Sequence, residues 1–147
     1  MEDLLILGCS VDKTSVCLAI YGEDLNPDEI SKILSCQPTK AHLRGARKSL
    51  NYKYGSYKQG AWLLKLQGSA PITADKLIID LLSCVPTNPI LWQELSEIYD
   101  VQVRIGIHMK GWNKGFNLTA HTVQRISKLG ASMVFDIYAY DEEEDNV

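Results

Sequence analysis

No stretch of the 147-residue sequence approaches the run of apolar residues that a membrane-spanning helix requires, so a helical membrane protein is not expected. Export signals are equally lacking. Met1-Glu2-Asp3 is acidic, and the apolar run behind it covers residues 4–7. A secretory or transit peptide needs a basic start and a longer segment, so the expected location is the cytoplasm. Cysteine is sparse: Cys9, Cys17, Cys36 and Cys84 are scattered, with no C-x-x-C pair. In a cytoplasmic chain these read as reduced, mostly buried thiols rather than disulfides. The three histidines, His42, His108 and His121, lie far apart, and none stands at metal-ligand spacing to another donor. H-E-x-x-H, P-loop and G-x-S-x-G patterns do not occur. These absences give no catalytic residue, metal site or cofactor to build on, and the expectation is a protein that is not an enzyme.

What is present is an ordinary globular chain. The apolar share is 46%, which argues against wholesale disorder. The length suits one domain, expected over residues 1–140, followed by a disordered acidic tail over 141–147. The net charge of −3 hides an asymmetry. Asp141, Glu142, Glu143, Glu144 and Asp145 contribute −5, so the remaining chain carries −3 + 5 = +2.

Periodicity predicts an α+β fold. Alternation over 15–21 puts Val16, Leu18 and Ile20 on one side of a strand and Cys17, Ala19 and Tyr21 on the other. Asn26, Pro27, Asp28 and Glu29 announce a helix with Ile30, Ile33 and Leu34 inward, stopped by Pro38. Short strands are expected over 39–44 and 60–67, the latter with Trp62, Leu64 and Leu66 on one face. Two helices follow, one capped by Thr73, the other by Asn88 with Leu91, Leu95 and Ile98 on one side. Residues 101–110 alternate most cleanly. Thr119 then caps a helix with Val123, Ile126 and Leu129 inward, which Gly130 ends. The last strand is expected inside the sheet. It turns Met133, Phe135, Ile137 and Ala139 to the helices and Ser132, Val134, Asp136, Tyr138 and Tyr140 outward. The order β-α-β-β-α-β with an added C-terminal α-β suggests a ferredoxin-like mixed sheet with helices on one face. Residues 25–33 and 118–126 hint at an internal repeat of β-α-β units.

The succession from Gly22 to Ser31, then Gln37-Pro38-Thr39, Arg44-Gly45, Gly60-Ala61-Trp62, Leu129-Gly130-Ala131-Ser132 and Asp136-Ile137-Tyr138 resembles a bacterial family. It is the domain of unknown function numbered four-two-seven-nine. The order of these motifs carries the resemblance, which spans nearly the whole chain. It implies a small stand-alone bacterial protein and names no activity. The basic connection before Trp62 and the acidic tail depart from the family pattern.

Two surfaces invite a function. If the two cleanest strands pair, Arg104 and His108 share a face with Asp136, Tyr138 and Tyr140. The plain reading is an Arg104–Asp136 ion pair on a solvated sheet; the functional one is a recognition surface, since Tyr and Arg anchor binding sites. The second surface holds Lys40, Arg44, Arg47, Lys48, Lys53 and Lys58 without an acid, interleaved with Tyr52, Tyr54 and Tyr57. Charge plus stacking rings is how single-stranded nucleic acid is held, although a solvated hairpin tip has the same composition. The leading expectation is an immunity protein. It would cover the basic site of a cognate toxin, such as a nuclease, with Asp136, Tyr138, Tyr140 and the acids 141–145, helped by Arg104 and His108. A nucleic-acid-binding domain using 40–58 and a small-molecule enzyme or sensor are the alternatives. The oligomeric state is open.

Overall fold

The computed structural model describes residues 9–48, 55–111 and 113–140. Its elements run β1 (Cys9–Ser10), β2 (Lys13–Gly22), α1 (Pro27–Leu34), β3 (Lys40–His42), β4 (Gly60–Ser69), α2 (Ala74–Leu82), α3 (Pro89–Ile98), β5 (Asp100–Lys110), β6 (Lys114–Gly115), α4 (Ala120–Lys128) and β7 (Ser132–Tyr140). Five strands form one sheet in the order β3-β4-β2-β5-β7. β2 lies at its centre, antiparallel to β4 and β5, while β7 adds parallel to β5. β1 and β6 make a separate parallel pair. This is the expected α+β sandwich: a β-α-β-β-α-β succession, its second helical segment split into α2 and α3, with α4 and β7 appended.

Local chemistry sets the helix starts. Asn26, Thr73, Asn88 and Thr119 each accept a backbone N–H of the first turn through a side-chain oxygen. α1 ends at Ser35, whose φ of 50° breaks the helical path before Pro38 is reached. Gly130 sits at φ 65°, and a Cβ there would meet the Ser96 hydroxyl at 2.5 Å, so conformation and close packing both require glycine.

The core lies between sheet and helices. Val16, Leu18, Ile20, Trp62, Val103 and Ile105 meet Ile30, Leu34, Ile78, Leu81, Trp92 and Leu95 there. The two buried indoles are paired: Trp62 Nε1 donates to Ser31 Oγ at 3.0 Å and Trp92 Nε1 to the Pro86 carbonyl at 2.7 Å. Several inward assignments shift by a residue or so. Ile33, Ile98 and Val123 are exposed, and Ser31, Trp92 and Thr122 are buried in their helices instead. Those helices are eight to ten residues long, and packing rather than the apolar stripe selects the buried turn. The last strand is also placed differently. β7 is an edge strand, and Phe135 and Ile137, on its helix side, are 46% and 62% exposed because the helical layer does not fully cover them. The expected burial of the cysteines holds for Cys17; Cys36 is half-buried and Cys84 exposed, and all three are free thiols. None of the described helices is long and apolar enough to cross a membrane. The apolar run 4–7 and the acidic run 141–147 lie outside the described residues.

Candidate functional site

The sheet face turned away from the helices is built by the same alternation that builds the core. Pairing sets Lys65, Cys17, Arg104 and Val134 side by side across four strands, with Gln67, Ser15, Gly106 and Asp136 in the next row. Small side chains in the middle (Ser15, Cys17, Ala19, Ala61, Gly106) make a low floor, and long ones rise around it. At Gly106 the floor cannot rise without displacement: a Cβ would lie 2.5 Å from Ser15 Oγ.

Over β5 and β7 this floor carries a depression of about 280 Å³ lined by Cys17, Lys65, Arg104, His108, Asp136 and Tyr138 among others. Arg104 Nη2 reaches Asp136 Oδ2 at 3.3 Å, and its Nη1 donates to Gln102 Oε1 at 3.0 Å. Gln102 Nε2 in turn donates to Asp100 Oδ2 at 2.8 Å. Asp136 is half-exposed, so it has both water and a cation. The His108 ring stacks on Tyr138 with centroids 4.7 Å apart, and its Nδ1 lies 3.3 Å from the Tyr140 hydroxyl. Arg104, His108, Asp136, Tyr138 and Tyr140 are thus one cluster, as the strand alternation anticipates. Burial pushes the Cys17 thiol up, against a smaller downward pull from Lys65 and Arg104. Burial likewise pushes the Tyr21 phenol up, with Arg104 opposing. Both groups are neutral at pH 7.

At the opposite edge, the chain after β3 folds back as a hairpin. The Gly45 N–H donates to the Tyr57 carbonyl at 2.8 Å, the Tyr57 N–H to Ala46 at 2.9 Å, and the Lys48 N–H to Gly55 at 3.1 Å. The legs of the basic segment are therefore ordered, which its polar composition alone does not announce. Tyr57 stacks on His42 with centroids 3.4 Å apart and planes 12° from parallel. Around this ring pair lies a depression of about 670 Å³, lined by Tyr21, Lys40, His42, Lys48, Tyr57 and Lys58 among others. It shares Tyr21 and Leu63 with the smaller one, so the two adjoin on this face of the sheet. Burial lowers the His42 pKa, and Lys40 and Lys48 add to that; backbone hydrogen bonds at Leu43 and Gln59 oppose it. The ring is held neutral, and its buried Nδ1 has no hydrogen-bond partner.

Among the described residues, the basic segment is divided between two settings. Arg44 turns to Glu23 at 2.6 Å and Asp24 at 3.4 Å. Arg47 stands in the hairpin leg opposite Ser56. Lys40, Lys48, Tyr57 and Lys58 face the depression, and Tyr52, Lys53 and Tyr54 lie outside the described residues. Sequence reading put Tyr21 on this face but counted neither it nor Lys65 nor His42 among the site residues. The signal was there for the first two: Lys65 alternates with Leu64 and Leu66 on β4, and Tyr21 sits opposite Ile20 on β2.

No curated protein and no solved structure matches the chain. One family model does, over residues 12–140, which takes in the whole five-stranded sheet and every element that lines the two depressions. By that match the chain belongs to the family described as Domain of unknown function (DUF4279).

Proposed function

We propose that this is a non-enzymatic binding protein of the bacterial cytoplasm, most concretely an immunity protein that neutralises a cognate toxin, such as a nuclease, by protein–protein contact. The observation that supports this reading is the edge strand β7. It is nine residues long and exposes Phe135, Ile137, Tyr138 and Tyr140. Five consecutive acids follow it directly in sequence. An edge strand offers unpaired backbone groups for strand addition, and large apolar and aromatic side chains beside them serve as anchors. Acids next to such an anchor complement the basic cleft with which a nuclease holds its substrate, and they speed association at low salt. Asp136 contributes less charge than its position suggests, because Arg104 already pairs with it.

The test is co-expression with each toxin-like protein encoded beside its gene. Growth rescue by the intact chain, lost in Ile137→Asp and in a variant with the five acids replaced by amides, is the expected result. No rescue from any neighbouring toxin refutes the reading.

A further inference from the structure

The other edge of the sheet has a different character, and its chemistry does not depend on the reading above. Three lysines converge on the larger depression: Lys40 from β3, Lys48 from one hairpin leg and Lys58 from the end of the other. None of the three makes an ion pair among the described residues. The acid at the rim, Glu23, is taken by Arg44. Uncompensated charge of one sign in a concave site favours an anion of opposite charge. The wall is aromatic: Tyr57 is fixed by backbone bonds on both sides and stacked flat on a neutral His42, with Tyr21 and Leu63 continuing the surface. A volume of about 670 Å³ falls within the range of small-ligand sites.

We infer that this depression binds a phosphate-bearing aromatic base, with the ring against the Tyr57–His42 wall and the phosphate among Lys40, Lys48 and Lys58. The same chemistry comes from two sources, a free nucleotide or an exposed single strand of RNA. A planar base needs a flat ring to lie on, and the neutral imidazole backing Tyr57 supplies stiffness without repelling a base. A phosphate needs cations that are not already neutralised; Lys40 and Lys58 meet that condition, and Lys48, whose Nζ lies 5.7 Å from the Tyr57 ring centre, is the cation that a base stacking on that ring turns toward the phosphate.

The experiment titrates the full chain into a fluorescein-labelled single-stranded RNA decamer, followed by anisotropy, and titrates AMP into the chain by calorimetry. On the decamer, where each lysine reaches a phosphate of its own, three contacts give a slope of about −2 in log K against log salt, so affinity for RNA falls about twentyfold between 50 and 200 mM. Lys40→Gln with Lys58→Gln lowers that slope to about −0.7. Tyr57→Ala weakens binding about tenfold or more at every salt concentration and leaves the slope intact, while Tyr57→Phe retains affinity. Tighter binding of the decamer than of AMP assigns the site to RNA; equal or tighter binding of AMP assigns it to the free nucleotide. Either supports the site. Absence of binding by both probes at low salt overturns it, as does binding that the Lys40, Lys58 and Tyr57 variants leave unchanged.

Discussion

The hydrogen bond between Trp62 and Ser31 ties the sheet to α1 and gives a quantitative test of the packing. Trp62 is fully buried and Ser31 nearly so, with the indole N–H donating to the hydroxyl at 3.0 Å. Ser31→Ala removes the acceptor and strands a buried donor, which costs about 1–3 kcal/mol. Alanine recovers about 0.5 kcal/mol through its better helix propensity. The net loss is about 0.5–2.5 kcal/mol. In a Trp62→Phe background no donor remains, so the same Ser31→Ala change stabilises by about 0.5 kcal/mol. The two substitutions therefore couple by about 1–3 kcal/mol. For a chain of this length each kcal/mol moves the melting temperature by about 3 °C. Urea denaturation of the four proteins, followed by far-UV circular dichroism, closes the cycle. An equal loss from Ser31→Ala in both backgrounds would refute the argument, because the hydroxyl would then matter for something other than the indole.

Three further outcomes follow from the geometry. The depressed pKa of His42 means that the unfolded chain takes up a proton before the folded chain does. Its contribution is fully present above the ordinary value of 6.5, is lost as pH falls below it and levels off below the folded value, so the pH dependence of the urea midpoint in this range shrinks in His42→Phe. Cys17, buried and with its thiol pushed up, is alkylated by iodoacetamide more slowly than exposed Cys84 in the native protein, as read by peptide mass mapping; equal rates contradict the placement of Cys17. Ile137→Lys shifts stability by no more than about 0.5 kcal/mol, because the side chain is already in water, and a larger loss means that Ile137 is covered.

Much of the architecture is written in short-range pattern. The four cap residues start their helices as expected, because an Asn or Thr side chain needs no distant partner to bond a first-turn N–H. The alternation of β2, β4, β5 and β7 sorts the two sheet faces, and it brings Arg104, His108, Asp136, Tyr138 and Tyr140 to one of them. Lateral order is not in the pattern. Nothing within residues 132–140 says that the strand will lie at an edge, since that depends on which strands compete for the neighbouring positions. Phe135 and Ile137 look like core for this reason and are not. The basic segment is the opposite case. Its composition suggests a loose tip, whereas the Tyr57–His42 stack depends on pairing across a hairpin that residue types do not specify.

The placement of β2 also governs how the chain is made. Lys13 pairs with Ser69 on one side and with His108 on the other. β2 thus waits for partners that leave the ribosome 56 and 95 residues later. Until β4 and β5 emerge, the β2 backbone has no strand to pair with, and α1 alone is at hand to cover Val16, Leu18 and Ile20. Closure over such sequence distances is slow compared with helix formation, and it exposes an oily segment in the interval. The nascent protein therefore passes through a stage in which its future centre is its most vulnerable part, and that stage closes when β5 docks.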